Sequence, residues 1–318
     1  MSTNQTKSRI PFLEDFLLHI QANNYSKETL YNYERDLETF ERFLSQEMDN
    51  LPFSGITKRT IEQFKAYLNS HDRKTAKGAA AQKELKSGSI NRTLTSLRRY
   101  LAYLIDMDTV TPIAPESIKL LRMEKKHPQV SELEELKRLI ESPMKFEKDK
   151  MVALRNRAAL EMLFASGMRI SELISIKRTQ IDKTGRIFIQ GKGKKQRFVY
   201  LTERAKGHID NYLKARVDDS PYLFIPKRGS NARDKSKHIS PNYLQMKIKK
   251  YRELLGINVP TSAHSLRHGF ATYLAEQGAN PAAIQILLGH ESLETTTRYV
   301  HASDKYAEST HKRFHPLK

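Results

Sequence analysis

Residues 264–274 read HSLRHGFATYL and place two histidines and an arginine within five positions. On a helix, His264, Arg267 and His268 are three and four residues apart, so they share one face. The stretch holds no acidic residue that could balance these three groups. Because neighbouring cations repel one another, the pattern indicates that a strongly anionic group binds between them.

The composition is typical of a globular protein with room for two domains. Of the 318 residues, 38% are hydrophobic and 29% are charged. No apolar run approaches the roughly 18 residues that a membrane span needs, and the polar start, MSTNQTKSR, has no apolar segment of the secretory type. The absence of cysteine excludes disulfides, cysteine nucleophiles and cysteine-ligated zinc. We therefore expect a cytoplasmic protein without a membrane partner.

The positive charge is concentrated in the second part of the chain. Lysine and arginine exceed aspartate and glutamate by 19 overall, by 2 in residues 1–120 and by 17 in residues 121–318. Residues 65–100 are a local exception, with nine basic and two acidic residues. This patterned charge favours a polyanionic partner, with nucleic acid ahead of a membrane surface. A basic protein without such a partner is the alternative.

Amphipathic periodicity predicts a small helical bundle in residues 1–110. In residues 26–45, apolar side chains recur at steps of three and four, and Ser26 is a plausible N-cap. Three other helices are predicted: one over residues 11–22, one that follows Thr57 and one that begins at Ser89. The last of them carries three basic side chains away from the predicted core: Arg92, Arg98 and Arg99.

Two segments interrupt the helical pattern. Residues 74–89, KTAKGAAAQKELKSGS, are basic and punctuated by glycine, which is equally typical of a solvated surface loop and of a loop that contacts nucleic acid. Residues 111–130 contain three prolines and little apolar periodicity, so we predict an interdomain linker there. The second domain then spans residues 131–318.

The second domain is predicted to be mainly helical with one small antiparallel sheet. In residues 186–201, RIFIQ and QRFVYL flank the glycine-rich GKGKK, which indicates a β-hairpin. Ser131 and Glu134 in SELE form a capping-box pattern that would open the first helix. Further helices are predicted at residues 151–166, 168–176, 204–216, 241–255, 264–277, 281–288 and 292–306, with Gly167 and Gly289 as helix ends and Pro281 in a first turn.

Four pieces of this domain carry the candidate chemistry: SGMRISEL (166–173), GKGKK (191–195), HSLRHGFATYL and LLGHESLETTTRYVH (287–301). Each piece alone is more typical of ordinary structure than of a site. Their order and spacing are more specific, since Lys192 follows Arg169 by 23 residues and Tyr299 follows His290 by nine. Together they resemble the active-site pattern of the tyrosine recombinases, the site-specific DNA recombinases that include phage integrases.

The resemblance covers essentially the whole chain. The ending RYVHASDKYAESTHKRFHPLK is most similar to the Xer recombinases, which resolve chromosome dimers. The resemblance implies a SAM-like helical core-binding domain over residues 1–110 and a catalytic domain over residues 131–318. It also implies the catalytic set Arg169, Lys192, His264, Arg267, His290 and Tyr299. The stretch 74–89 is longer than the usual Xer pattern, which leaves the subgroup and the DNA site open.

The chemistry of phosphodiester cleavage explains the cations. As a nucleophile attacks, charge develops on the non-bridging phosphate oxygens, and fixed cations stabilise it. Arg169 and Arg267 can each place two donors on those oxygens. His264 and His290 can add hydrogen bonds or move a proton near neutral pH. Because two arginines supply the positive charge, the chemistry needs no carboxylate, and we expect no metal and no cofactor.

The resemblance makes Tyr299 the nucleophile, which forms a covalent 3′-phosphotyrosine while a 5′ hydroxyl leaves. Lys192 would protonate that leaving oxygen, and Lys194 and Lys195 are closer to phosphate contacts in character. The covalent bond conserves energy, and the sequence holds no GxxxxGK[ST] loop for ATP. Tyr306, seven residues later, is the rival nucleophile but lacks the matching context.

Two residues beside the catalytic set have open roles. We interpret His268 as a packing or supporting neighbour of His264, because the HxxxH pattern lacks the glutamate of a zinc helix. Glu172 either orients an active-site cation or lies on a helix surface.

The resemblance also implies the partners. They are a double-stranded DNA recombination site and further copies of the chain in a homo-tetramer on two duplexes. Whether a DNA translocase or a second recombinase controls activity stays open. The tail HKRFHPLK (311–318) would dock on a neighbouring copy. The candidate DNA contacts are Arg92, Arg98, Arg99, Lys194 and Lys195. The target sequence and the order of strand exchange stay open.

The predicted function is therefore site-specific recombination through a covalent intermediate and a Holliday junction, in chromosome-dimer resolution. Three alternatives remain: a mobile-element integrase, a type IB topoisomerase and a DNA-binding protein without catalysis. The complete catalytic set disfavours the last. The two-domain layout and the terminal tail disfavour the topoisomerase.

Overall fold

A computed structural model of the chain describes residues 10–70, 84–123, 131–190, 196–229, 232 and 234–289. It divides into two compact units, Met1–Lys126 and His127–Lys318. The predicted fold class, mainly helical with a small antiparallel sheet, is confirmed. No helix in the described ranges is long and apolar enough to cross a membrane. Several predicted features lie outside the described residues: Lys192, Lys194, Lys195, His290, Tyr299, Tyr306, the helix 292–306, the tail 311–318 and most of 74–89.

The first unit is a bundle of helices that each bury one apolar face. Its helices are α1 (Leu13–Ala22), α2 (Lys27–Gln46), α3 (Lys58–Asn69) and α4 (Ser87–Asp106), with 3₁₀ turns at Phe53–Gly55 and Pro115–Ser117. Ser26 and Thr57 cap α2 and α3 as predicted, because each hydroxyl accepts the backbone N–H three residues later. Helix α4 begins two residues before Ser89, the predicted start.

Aromatic and aliphatic side chains fill the centre of this bundle. Phe40 and Phe64 are almost fully buried and meet edge to face, with ring centroids 4.8 Å apart. Ile118 is buried in the same core, and the Asn91 side chain holds the backbone of Leu121 through two hydrogen bonds of 2.9 and 2.7 Å. Part of the predicted linker is therefore packed on the first unit.

A buried carboxylate ties α2 to α4. Asp36 is 3% exposed and accepts hydrogen bonds from the Ser96 hydroxyl (2.8 Å) and from the guanidinium of Arg92. Burial raises the pKa of Asp36, against the opposing effect of the bonds from Ser96 and Arg92. Arg92 thus contributes to the bundle itself although its side chain is 40% exposed. Arg98 is half-buried and Arg99 is exposed.

The second unit is built around a central helix that is buried on most of its surface. Its elements are α5 (Leu133–Phe146), α6 (Lys150–Ser166), α7 (Ile170–Ile174), β1 (Arg186–Gln190), β2 (Gln196–Tyr200), α8 (Glu203–Lys214), α9 (Pro241–Leu254), α10 (Ala263–Glu276) and α11 (Pro281–Leu288). The central helix is α6, which packs against α5, α8 and α10. Asp149 caps its start, and Gly167 ends it at a φ of 61°, as predicted.

The two strands form the predicted hairpin. Its antiparallel register runs from Arg186 opposite Tyr200 to Gln190 opposite Gln196. The inner face buries three apolar side chains: Ile187, Ile189 and Val199. The remaining inward position of β2 is occupied by Arg197, which is also buried.

The entry into α5 differs from the prediction. Helix α5 begins at Leu133, and Glu132 occupies the N-cap position without a side-chain bond. The predicted capping box is wrong because the Ser131 hydroxyl is buried and lies 2.8 Å from the hydroxyl of Thr261, just before α10. A buried tertiary partner thus takes the group that would have capped the helix. Helix α7 is also shorter than the predicted 168–176, since Arg169 is its N-cap.

Candidate active site

Arg169 stands at the N-cap of α7, directly after the sharp turn that ends α6. Its backbone N–H donates to Glu172 Oε2 (2.7 Å), and its Nη1 donates to Glu172 Oε1 (3.0 Å). Its Nη2 donates to the carbonyl oxygen of Gly289 at 3.5 Å. The side chain is 36% exposed. The guanidinium is therefore held by a carboxylate and a carbonyl while part of it still faces solvent.

Arg267 lies on the buried side of α10 and is only 4% exposed. Its Nη1 donates to the Gly167 carbonyl and its Nη2 to the Leu288 carbonyl, each at 2.7 Å. These carbonyls belong to the ends of α6 and α11, where the backbone lacks partners within the helix. The negative end of each helix dipole also favours a cation. Two helix ends thus fix the plane of this guanidinium.

His264 and His268 are one turn apart on α10, and their Nε2 atoms lie 2.9 Å apart. Burial lowers the pKa of His264, and the charges of Arg267 and Arg169 lower it further. Burial, together with His264 and Arg267, lowers the pKa of His268 to about 4. Both imidazoles are therefore neutral at pH 7, and His268 is a direct hydrogen-bonding neighbour of His264, as interpreted from the sequence.

Glu172 is buried rather than on a helix surface, and it bonds to Arg169, one of the predicted catalytic cations. Burial pushes the pKa of this carboxyl upward, but hydrogen bonds from Arg197 and Arg169 outweigh burial and hold it below the ordinary value. The carboxylate is ionised at neutral pH. A carboxylate therefore does lie among the arginines, and it offsets part of their charge.

Arg197 was not identified from the sequence, although it is central to this cluster. It is 9% exposed and donates Nη1 and Nη2 to the two oxygens of Glu172 (3.0 and 2.8 Å). Its Nε donates to the Leu287 carbonyl at 2.9 Å. The strand alternation contained the signal, since an arginine at an inward position opposite Ile189 requires a buried partner.

The structure thus brings three of the six predicted catalytic residues near one another: Arg169 and Arg267 bond to carbonyls at the end of α11, and the charges of both act on His264. Two guanidinium groups and an imidazole are groups that can bind one phosphate anion. His290 follows Gly289 directly in sequence, and Lys192 belongs to the segment that joins β1 and β2. In the described part of the chain, no group of three or more His, Cys, Asp or Glu residues is placed to hold a metal ion.

Two family models match the sequence. The model described as "Phage integrase family" matches residues 130–306. The model described as "Phage integrase, N-terminal SAM-like domain" matches residues 13–107. The two matches fall in the second and the first unit of the structure, respectively.

Similar proteins and structures cover most of the chain. The sequence is 31% identical over 313 residues to "Tyrosine recombinase XerC" of Chlamydia caviae, and the match spans 95% of this chain and 96% of that protein. The fold is similar to that of the XerH site-specific recombinase bound to palindromic difH substrate in a post-cleavage complex, with a TM-score of 0.68 and 22% identity over 95% of this chain and 83% of that one. The fold is also similar to that of a lambda integrase (75–356) dimer bound to a COC′ core site, with a TM-score of 0.69 and 17% identity. That match covers 91% of this chain and 94% of the integrase chain. The similarity therefore extends over both units.

Proposed function

Since the chain belongs to the phage integrase family and is a Xer-like site-specific tyrosine recombinase, we propose that Tyr299 cuts and rejoins double-stranded DNA at a recombination site. One observation carries the proposal. Arg169 and Arg267 come from separate helices and meet at successive carbonyls of the end of α11, with a neutral His264 beside them. This set matches the needs of a phosphate whose charge increases during reaction.

In the proposed cleavage step, the scissile phosphate lies between the two guanidinium groups. The Tyr299 oxygen attacks phosphorus, the bond to the 5′ oxygen breaks, and the 3′ phosphate becomes esterified to the tyrosine. Arg169 and Arg267 stabilise the charge on the non-bridging oxygens. Lys192 gives a proton to the leaving 5′ oxygen.

His264 is suited to take the proton that Tyr299 loses. Burial and the two neighbouring arginines lower its pKa, so the free enzyme holds a neutral imidazole at pH 7 that can accept a proton. A bound phosphate adds negative charge beside the ring and favours the protonated form. His290 would add a further hydrogen bond to the phosphate.

Rejoining would run the same chemistry in reverse. The phosphotyrosyl bond keeps the energy of the broken phosphodiester, so a 5′ hydroxyl from a partner strand can displace Tyr299. Four copies on two duplexes would exchange strands in pairs through a Holliday junction, and the tail 311–318 would link neighbouring copies. The Xer resemblance favours resolution of chromosome dimers as the biological role.

A nicked suicide duplex tests the proposal. The full-length protein would first select its site from randomised duplexes, and the selected duplex would be nicked so that the cleaved fragment diffuses away. We expect a covalent protein–DNA band on a denaturing gel from wild type, no band from Tyr299→Phe, and a normal band from the control Tyr306→Phe. Confirmed binding without any band from wild type would contradict cleavage. Relaxation of a plasmid that lacks the site would favour the topoisomerase.

A further inference from the structure

Three consecutive carbonyl oxygens at the end of α11 accept hydrogen bonds from three different arginines. Leu287 O accepts from Arg197 Nε (2.9 Å), Leu288 O from Arg267 Nη2 (2.7 Å) and Gly289 O from Arg169 Nη2 (3.5 Å). The arginines come from β2, α10 and the N-cap of α7. The last turn of a helix leaves its carbonyls without partners, and the helix dipole favours cations there. The end of α11 is therefore a shared anchor for arginines from separate elements.

Every nitrogen of the Arg197 guanidinium is bonded to the protein. Both Nη atoms donate to the carboxylate of Glu172, and Nε donates to α11. The side chain is buried on the inner face of the hairpin. Arg197 is thus placed to hold other groups rather than to bind a phosphate.

Glu172 transmits the position of Arg197 to Arg169. Its Oε1 accepts from Arg197 Nη1 and from Arg169 Nη1, both at 3.0 Å. Its Oε2 accepts from Arg197 Nη2 and from the backbone N–H of Arg169. The carboxylate therefore bonds to both arginines, so a displacement of the Arg197 guanidinium would displace Arg169 through Glu172.

Gly289 shows how closely Arg197 packs against the end of α11. A Cβ atom at this position would lie 2.9 Å from Arg197 Cδ and 3.1 Å from Nη1. The residue also adopts a φ of +63°, which disfavours any side chain. The close approach brings the backbone that immediately precedes His290 against Arg197.

We propose that Arg197 is a positioning residue for DNA cleavage. Acting through Glu172 and the end of α11, it sets the planes in which Arg169 and Arg267 meet the scissile phosphate. The inference rests on the recombinase function proposed above. A lysine keeps the charge but cannot form the two-pronged bond to Glu172 and the bond to Leu287 at the same time.

The first test measures single-turnover cleavage of the nicked suicide duplex by full-length protein at saturating concentration. We expect Arg197→Lys to cleave more slowly by on the order of 10–100-fold, because small displacements of catalytic groups cost that much. DNA affinity should stay close to wild type, whereas the melting temperature should fall, because Glu172 or the Leu287 carbonyl loses a donor. The matched control is Arg186→Lys on the exposed face of the same hairpin, where the arginine contacts Asp182 and the Phe198 ring, and it should cleave at the wild-type rate.

Phosphorothioate substrates separate positioning from a general structural role. Replacing either non-bridging oxygen of the scissile phosphate by sulfur gives two diastereomers, each of which weakens a different arginine contact. If Arg197 sets the guanidinium planes, Arg197→Lys changes the ratio of the two cleavage rates. A loss of folded protein would lower both rates equally and leave the ratio unchanged, which would overturn the inference.

A glycine pair keeps the test decisive if Arg197→Lys does not fold. Gly289→Ala pushes a methyl group against Arg197 without removing any charge, whereas Gly256→Ala has a similar φ of +66° with no described atom within 4 Å. We expect slower cleavage and an altered phosphorothioate ratio only from Gly289→Ala. Equal cleavage rates and equal phosphorothioate ratios for the two glycine variants would overturn the inference about Arg197 but not the proposed function. Wild-type cleavage by a folded Arg197→Lys would do the same. A wild-type protein that binds its site and never cleaves would refute the proposed function, and the inference with it.

Discussion

The Nε2 atoms of His264 and His268 lie 2.9 Å apart, so one imidazole donates a proton to a hydrogen bond that the other accepts. This bond requires at least one neutral ring, since two protonated rings present only donors. Burial and neighbouring positive charges lower both pKa values, that of His268 to about 4. The pair is therefore maintained at neutral pH and weakened on acidification.

The pair predicts a pH dependence of stability. The unfolded chain binds a proton at His268 near the ordinary pKa of 6.5, but the folded protein binds it only near 4. The free energy of unfolding should fall as the pH drops from 6.5 towards 4, because the unfolded state then binds more protons. We expect His268→Gln to lose less stability than wild type between pH 7.5 and pH 5 in urea unfolding. Equal losses would contradict the assignment.

Local patterns were sufficient to predict most elements of the fold. The caps at Ser26 and Thr57 and the left-handed helix end at Gly167 depend on residues within one turn. The hairpin follows from alternation around a glycine-rich turn. Such features need no knowledge of distant parts of the chain.

Long-range partners explain what sequence patterns could not predict. Ser131 matched a local capping box, but it bonds to Thr261, 130 positions away. Glu172 had two open roles, and its partner Arg197 is 25 positions away on another element. Only the folded backbone brings these groups into contact. Family resemblance supplied Arg169, His264 and Arg267, but nothing in their spacing indicated the carbonyls that orient them.

Removal of the Glu172 charge should destabilise the second unit. In Glu172→Gln, buried Arg197 loses its carboxylate, and we expect the free energy of unfolding to fall by about 3 kcal/mol. The pKa of Glu172 is lowered from 4.5 in the folded state, so the difference from wild type should be constant above about pH 5 and shrink only at lower pH. Urea unfolding between pH 8 and pH 3.5 measures both effects.

The matched control for this substitution is Glu203→Gln. The Glu203 side chain is 88% exposed and pairs with Lys206 one turn away. Because solvent screens such a pair, the change should stay within about 0.5 kcal/mol. A similar small change for Glu172→Gln would show that the buried pair contributes nothing net.

Gly167→Ala should damage both the fold and the site. The new Cβ would lie 2.3 Å from Cδ1 of Phe270, and the alanine would have to keep a φ of +61°. We expect the free energy of unfolding to fall by about 3 kcal/mol. The Gly167 carbonyl also receives Arg267, so cleavage should fall more than DNA binding. Gly278→Ala, at a φ of +82° with no described atom within 4 Å, is the control and should cost about 1 kcal/mol.

A double substitution checks the cause of that loss. In a Phe270→Ala background the ring is absent, so Gly167→Ala should cost only as much as Gly278→Ala. An unchanged cost in that background would assign the effect to backbone strain instead of to the clash with Phe270.

Arg92 and Arg99 lie on the same helix, yet their substitutions should have different effects. Both side chains are exposed, but Arg92 bonds to buried Asp36. We expect Arg99→Gln to leave the melting temperature unchanged and to reduce the slope of log affinity against log salt by about 1, as loss of one phosphate contact does.

Arg92→Gln leaves Asp36 with a weaker set of donors, so the free energy of unfolding should fall by about 1–3 kcal/mol while the salt slope changes little. Gel-shift titrations at several salt concentrations and thermal melts measure both quantities. If Arg92→Gln reduced the salt slope without loss of stability, Arg92 would be a DNA contact and its bond to Asp36 would have no structural role.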